Sequence, residues 1–138
     1  MKQYLLDASS FITLIKKAEA QRTIEFLRES VILDLTYYEV GNAIWKESTL
    51  TKFLTPDEYK ALSNVAQTVL AKTDRITVDA NTFQGILELA RSERLSFYDS
   101  SYVYFAKDKG LVLVTEDKEL KAKAQKHANV QTTAMLIR

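Results

Sequence analysis

Four acidic residues stand at positions where a small chain rarely places acids for solubility alone. Asp7 ends the apolar run Tyr4-Leu5-Leu6, and Asp117 closely follows Leu111-Val112-Leu113-Val114. Both runs read as short buried strands, so both carboxylates fall at strand carboxyl ends. Glu39, in Thr36-Tyr37-Tyr38-Glu39, and Asp99, in Ser96-Phe97-Tyr98-Asp99, lie near the starts of two expected helices. By helical spacing Asp99 shares a face with Val103 and Ala106, and an acid on an apolar stripe needs a partner. If the four converge, two carboxylates ~4 Å apart repel by about 4 kcal/mol at an effective dielectric near 20. No basic residue lies beside all of them in the sequence, and there is no Cys. Hard oxygen ligands suit Mg²⁺ or Mn²⁺, which accept phosphate oxygens as well. Such an ion lowers the pKa of water it holds and stabilises a phosphodiester under attack.

Each acid also has a plainer use. Glu39 and Asp99 both fit the last position of an S/T-x-x-acid capping box. Asp7 would cap a helix beginning at Ala8 or Ser9, and Asp117 would cap the Lys-rich segment after it. Capping does not explain why four acids mark one edge, and a cap fixes a carboxylate for catalysis as well.

The surrounding elements alternate. Helical spacing continues from Phe11 to Ile15, and a second helix is expected over 19–29. Val31 to Leu35 reads as a strand, followed by a helix from Thr36 to about Ser48. Thr55-Pro56-Asp57-Glu58 combines a cap, an early Pro and an acidic third position, a helix start. That helix carries the stripe Leu62, Val65, Ala66, Val69 and Leu70, and with the preceding helix it is expected to form a protruding hairpin. Arg75 to Val78 reads as a strand, and Asp79 as the cap of a helix through Arg91. A further helix follows Ser96 and stops at Gly110. After the strand at 111–114 come a Lys-rich helix to about His127 and a last strand near Val130. Strands alternating with helices predict an α/β fold with a parallel sheet covered on both faces. Ligands in such sheets bind beyond the strand carboxyl ends, where Asp7 and Asp117 lie.

Composition bounds the chemistry. At 138 residues the chain suits one domain spanning 1–138, with 46% hydrophobic and 27% charged residues arguing against disorder. The net charge of +1 excludes a general electrostatic attraction for polyanions, so phosphate contacts need a local patch or bound cations. Without Cys there are no disulfides, thiolate sites or thiol nucleophiles. One histidine, His127, argues against a Ser-His-Asp triad and a multi-histidine zinc centre. Met1 to Asp7 is too quickly polar for a signal peptide, and no apolar run approaches ~20 residues. A soluble cytoplasmic protein is expected.

The chain resembles a PIN-domain ribonuclease, in particular the VapC-type toxins of prokaryotic toxin–antitoxin pairs. The matching pieces are Leu5-Leu6-Asp7-Ala8-Ser9, Glu39-Val40-Gly41-Asn42-Ala43-Ile44-Trp45-Lys46, Tyr98-Asp99-Ser100-Ser101-Tyr102 and Leu113-Val114-Thr115-Glu116-Asp117-Lys118-Glu119-Leu120. Their order and spacing cover nearly the whole chain. The resemblance implies an α/β/α sandwich with a central parallel sheet of four or five short strands. It implies Mg²⁺- or Mn²⁺-dependent endonucleolytic cleavage of RNA. It matches Asp7, Glu39, Asp99 and Asp117 to the family's acidic quartet, and Thr115 and Asn42 to polar residues that accompany it. Asp7 and Asp99 are expected to be the principal metal ligands, with Glu39 and Asp117 binding directly or through water. A VapB-like antitoxin with an Arg to plug the pocket, and a homodimer, are further expectations of the resemblance.

Other features carry less. Lys118, Lys121, Lys123 and Lys126 read as a solvated face sooner than as an RNA contact. The tyrosines near the acidic pieces read mostly as packing residues, Trp45 as core or subunit interface, and His127 as a surface residue. A phosphoryl-accepting receiver domain also places acids at strand ends, but it needs an early acid pair and a central Asp that this chain lacks. A PIN-like scaffold that binds RNA or protein without cutting is the alternative within the same fold.

Overall fold

The computed structural model describes residues 1–17 and 19–137. Five parallel strands, β1 (Tyr4–Leu6), β2 (Ser30–Leu33), β3 (Asp74–Ile76), β4 (Val112–Val114) and β5 (Val130–Gln131), form one sheet in the order β3-β2-β1-β4-β5. The chain builds outward from β1 to β3, then returns to β1's other side for β4 and β5. This reversal makes the β1/β4 junction the topological switch point, where the carboxyl ends of an open sheet leave a crevice.

Alternation along the strands sends side chains to two cores. Leu5, Val31, Leu33 and Leu113 point to one face, with α5 (Ala80–Glu93), α6 (Phe97–Lys109) and α7 (Lys118–Ala124). Leu6, Ile32 and Val114 point to the other, where α1 (Ala8–Lys17), α2 (Ala20–Arg28), α3 (Asp34–Trp45) and α4 (Pro56–Lys72) pack. The expected α/β/α sandwich is therefore observed, with α1 to α4 on one face and α5 to α7 on the other.

Several expectations shift in detail. β2 stops at Leu33, because the Leu33 N–H donates to Thr36 Oγ1 at 3.1 Å and α3 has already begun at Asp34. α3 runs into a single π-helical turn (Lys46–Leu50), where Glu47 pairs with Lys16 at 2.8 Å. Thr55 and Glu58 form the reciprocal capping box read from sequence, with bonds of 3.1 and 3.0 Å. α4 packs on α1 and α3 through Ala66 and Leu70, whereas Val65 and the helix's first turns, residues 56–61, are exposed. A short helix, α8 (Thr133–Leu136), follows β5; no local pattern in the sequence announces it. Glu116 fixes its start, accepting from Thr133 N at 2.9 Å and Thr133 Oγ1 at 2.5 Å.

Two helical glycines make a paired test of packing. A Cβ on Gly85 of α5 would stand 2.6 Å from the Tyr104 ring, whereas one on Gly41 of α3 would meet nothing within 4 Å. Gly→Ala in a helix interior is worth up to about 1 kcal/mol by propensity. Displacing a packed ring costs about 1–3 kcal/mol. Thermal unfolding should therefore show Gly41→Ala stabilised by up to ~1 kcal/mol and Gly85→Ala destabilised by about 1–2 kcal/mol. Equal shifts for the two variants would refute the close packing of α6 on α5.

Candidate active site

Asp7 is the first residue after β1, and Thr115 the first after β4. Pairing of Leu6 with Val114 brings them side by side, and Asp7 N–H donates to Val114 O at 3.2 Å. Asp7 is 6% exposed, and hydrogen bonds hold both its carboxylate oxygens. Oδ1 accepts from Ser10 N at 2.9 Å and Ser9 Oγ at 2.7 Å; Oδ2 accepts from Thr115 Oγ1. Ser9 Oγ in turn accepts from Glu116 N at 3.0 Å, and Thr115 Oγ1 from Asp117 N at 3.1 Å. The turns after β1 and β4 are thus stitched through one buried carboxylate. Burial pushes the Asp7 carboxyl above its ordinary range, and the bonds from Thr115, Ser10 and Ser9 oppose it.

The capping alternatives now divide. Asp7 does cap α1, and Asp117 caps α7 by accepting from Glu119 N at 2.9 Å and Leu120 N at 3.0 Å through Oδ1. Glu39 caps nothing, since Thr36 is the third helical residue and Glu39 lies a further turn in. Asp99 belongs to half a box: Ser96 Oγ accepts its backbone N–H at 3.0 Å, and no hydrogen bond among the described residues reaches its carboxylate. One acid in each of α3 and α6 is therefore free of a helix-end role.

Glu39 is partly buried and accepts a hydrogen bond at 2.7 Å from Tyr102, whose hydroxyl also meets Thr36 Oγ1 at 2.8 Å. Burial is the largest cause raising the Glu39 carboxyl above its usual range; Tyr102 opposes it, while the charges of Asp7 and Asp99 add to it. Asp99 is raised first by burial and then by the charges of Asp117, Asp7 and Glu119. Burial likewise pushes the Tyr102 phenol far up, with Glu39 contributing. Glu39 thus feels Asp7 and Asp99, and Asp99 feels Asp7 and Asp117, which links the four segments pairwise. None of the four acids forms a salt bridge among the described residues.

This set fits a hard divalent cation by its chemistry: oxygen donors, like charges and, among the described residues, no basic side chain paired with them. It is not a closed cage, because among the described residues no three acidic or histidine side chains lie close enough to hold an ion together. Mg²⁺ tolerates that openness, since it is usually held by one or two carboxylates and keeps several waters.

Thr115 is buried and bonded to Asp7. Asn42 is exposed one turn from Glu39 and makes no side-chain bond to it among the described residues. Tyr102 packs in the core, but it also binds Glu39, which packing arguments alone do not predict; its place one turn after Asp99 is the available signal. Ser9 is the other unassigned participant. Trp45 is 48% exposed and so is not a core residue. Lys123 and Lys126 are paired with Glu119 and Glu93, in keeping with a solvated face for α7. His127 is mostly buried beside Glu93 at 3.5 Å, not a free surface residue.

Comparison with known proteins covers the same span. A family model described as "PIN domain" matches residues 4–126. The chain is similar to exonuclease VapC9 of Pyrobaculum aerophilum, 37% identical over 130 residues, 94% of this chain and 92% of that protein. It is similar to ribonuclease VapC3 of the same organism, 29% identical over 125 residues, 86% and 92% of the two chains. Among solved structures, PAE2754 from P. aerophilum superposes with a TM-score of 0.83 at 34% identity, over 98% of this chain and 93% of that one. FitAcB from Neisseria gonorrhoeae, at 17% identity, has a TM-score of 0.62 over 93% and 96%, a likeness of fold alone.

Proposed function

The chain belongs to the PIN-domain family, and on that premise we propose that it is a Mg²⁺- or Mn²⁺-dependent endoribonuclease, the VapC-type toxin of a toxin–antitoxin pair. The supporting observation is the group of acids at the switch point that no described basic side chain pairs with, where Glu39 and Asp99 are each raised first by burial and then by the charges of other acids. In this reading Asp7 and Asp99 hold the divalent ion, and Glu39 and Asp117 bind it directly or through water. When bound, the ion supplies charge against the phosphate and lowers the pKa of nearby water. The chain's own part is positional. Thr115, Ser9 and Ser10 fix Asp7, the cap of α7 fixes Asp117, and either Glu39 or Asp117 orients the attacking water.

The two curated relatives differ in name, one an exonuclease and one a ribonuclease. A circular RNA separates these modes because it has no end. With Mg²⁺ or Mn²⁺ the protein is expected to linearise circular RNA as well as shorten linear RNA, and EDTA is expected to stop both. Trimming of linear RNA alone would replace the endonuclease by an exonuclease. Cleavage of neither would favour the non-cutting scaffold. Sequencing of RNA ends after induced expression would then identify the target.

Partners and compartment follow the same premise. A VapB-like antitoxin would lie along α3 and α4, where Tyr59 and Trp45 are exposed, and present a basic side chain to the acids. The toxin would pair as a homodimer in the cytoplasm; no helix among the described residues is long and apolar enough to cross a membrane. Co-purification of a small basic-tailed protein from native expression would support the antitoxin.

A further inference from the structure

The hydrogen bonds around Glu39 have only one consistent direction. An ionised carboxylate can only accept, so the single phenolic proton of Tyr102 goes to Glu39 Oε1, 2.7 Å away. Tyr102 oxygen, 2.8 Å from Thr36 Oγ1, must then accept the threonine proton. Thr36 Oγ1 in turn accepts from the Leu33 N–H at 3.1 Å. The chain of donors thus runs one way, from the end of β2 through Thr36 and Tyr102 to Glu39. Thr36 is wholly buried and Tyr102 is 1% exposed, so water does not compete along it. Tyr102 also lies one turn beyond Asp99 on α6, so the residue that grips the α3 acid is carried by the helix bearing another.

We propose that Tyr102, backed by Thr36, is a positioning residue that locks Glu39 toward the cation and the reacting phosphate, setting its spacing from Asp99. The inference rests on the nuclease reading above. A tyrosine kept only to satisfy its own hydroxyl would have no influence on metal or turnover. Groups that orient metal-binding side chains typically change affinity or activity 10–100-fold when removed.

Tyr102→Phe removes the hydroxyl and keeps the ring. The variant is expected to bind Mn²⁺ about tenfold more weakly by calorimetry. Its kcat on RNA should fall about 10–100-fold with KM changed by less than about threefold. Thr36→Val should reproduce part of both losses, whereas Thr36→Ser, which keeps the hydroxyl, should restore them; this pair decides the matter if Tyr102→Phe fails to fold. Wild-type Mn²⁺ affinity and kcat in folded Tyr102→Phe would overturn the positioning role while leaving the nuclease intact. Wild-type protein that binds Mn²⁺ but cuts no RNA would refute the nuclease reading instead, with the Mn²⁺ arm still deciding whether Tyr102 positions Glu39.

Discussion

Asp99→Asn is expected to lower RNA cleavage by on the order of 10³-fold while leaving the fold intact. A bound divalent ion is worth several kcal/mol to the transition state, and each 1.36 kcal/mol is tenfold in rate. The fold should survive because Asp99 contributes to its helix through the backbone: its N–H donates to Ser96 Oγ, and Asn retains that bond. Its carboxylate accepts no hydrogen bond among the described residues, so exchanging one oxygen for NH₂ orphans nothing. Asp7→Asn should be as inactive but less stable. Both Asp7 oxygens accept, from Ser10, Ser9 and Thr115, and turning one into a donor forces the Thr115 hydroxyl to give up its bond to Asp7 and turn to accept instead. That loss costs about 1–3 kcal/mol. Asp117→Asn should fold normally, since Asn caps a helix as well as Asp, and should lose less activity because Asp117 is exposed. The measurements are initial cleavage rates at saturating Mn²⁺ alongside thermal unfolding of each variant. Activity retained by Asp99→Asn would remove that residue from the site.

How far the sequence carries is visible in these same residues. Asp7 and Asp117 are legible because strands are short apolar runs and the first few residues after each run must emerge at the sheet edge. Ser96, Thr55 and Gly110 are legible because helix ends obey local rules; Gly110 takes φ +64 where α6 stops. The misreadings arise where a bond or a packing partner that the local pattern does not show decides the outcome. Thr36-x-x-Glu39 looks like a capping box, but a bond from Leu33 starts α3 two residues earlier. That shift turns Glu39 away from a helix-end role and leaves Thr36 free to back Tyr102, 66 residues away. α8 is invisible locally because Glu116, 17 residues upstream, supplies its first hydrogen bonds. Val65 fits the stripe of α4 but lies outside the arc that α1 and α3 cover.

The metal-free protein should be more stable at mildly acidic than at neutral pH, and Mg²⁺ should reverse the order. Asp7, Glu39 and Asp99 all have carboxyls raised in the folded state, first by burial. The native state therefore binds more protons than the unfolded chain once pH exceeds the ordinary carboxylate range, about 4. Stability then falls as pH climbs through the raised values. Glu58 and Glu93 are lowered and work the other way, losing stability as pH falls. Subtracting Asp99→Asn from wild type cancels both. The variant should melt higher than wild type at pH 7.5 without metal, and the gap should close toward pH 4. Mg²⁺ at a hundred times its Kd adds about 2.7 kcal/mol, on the order of 10 °C in Tm for a chain of this size. Protons compete for the same oxygens, so the gain should vanish on acidification and be small in the variant. Identical metal-free melting of wild type and Asp99→Asn, with no Mg²⁺ response, would mean that the acids carry no stored repulsion. The burial and repulsion that weaken the fold without metal are what a cation relieves there, so one thermal series measures both.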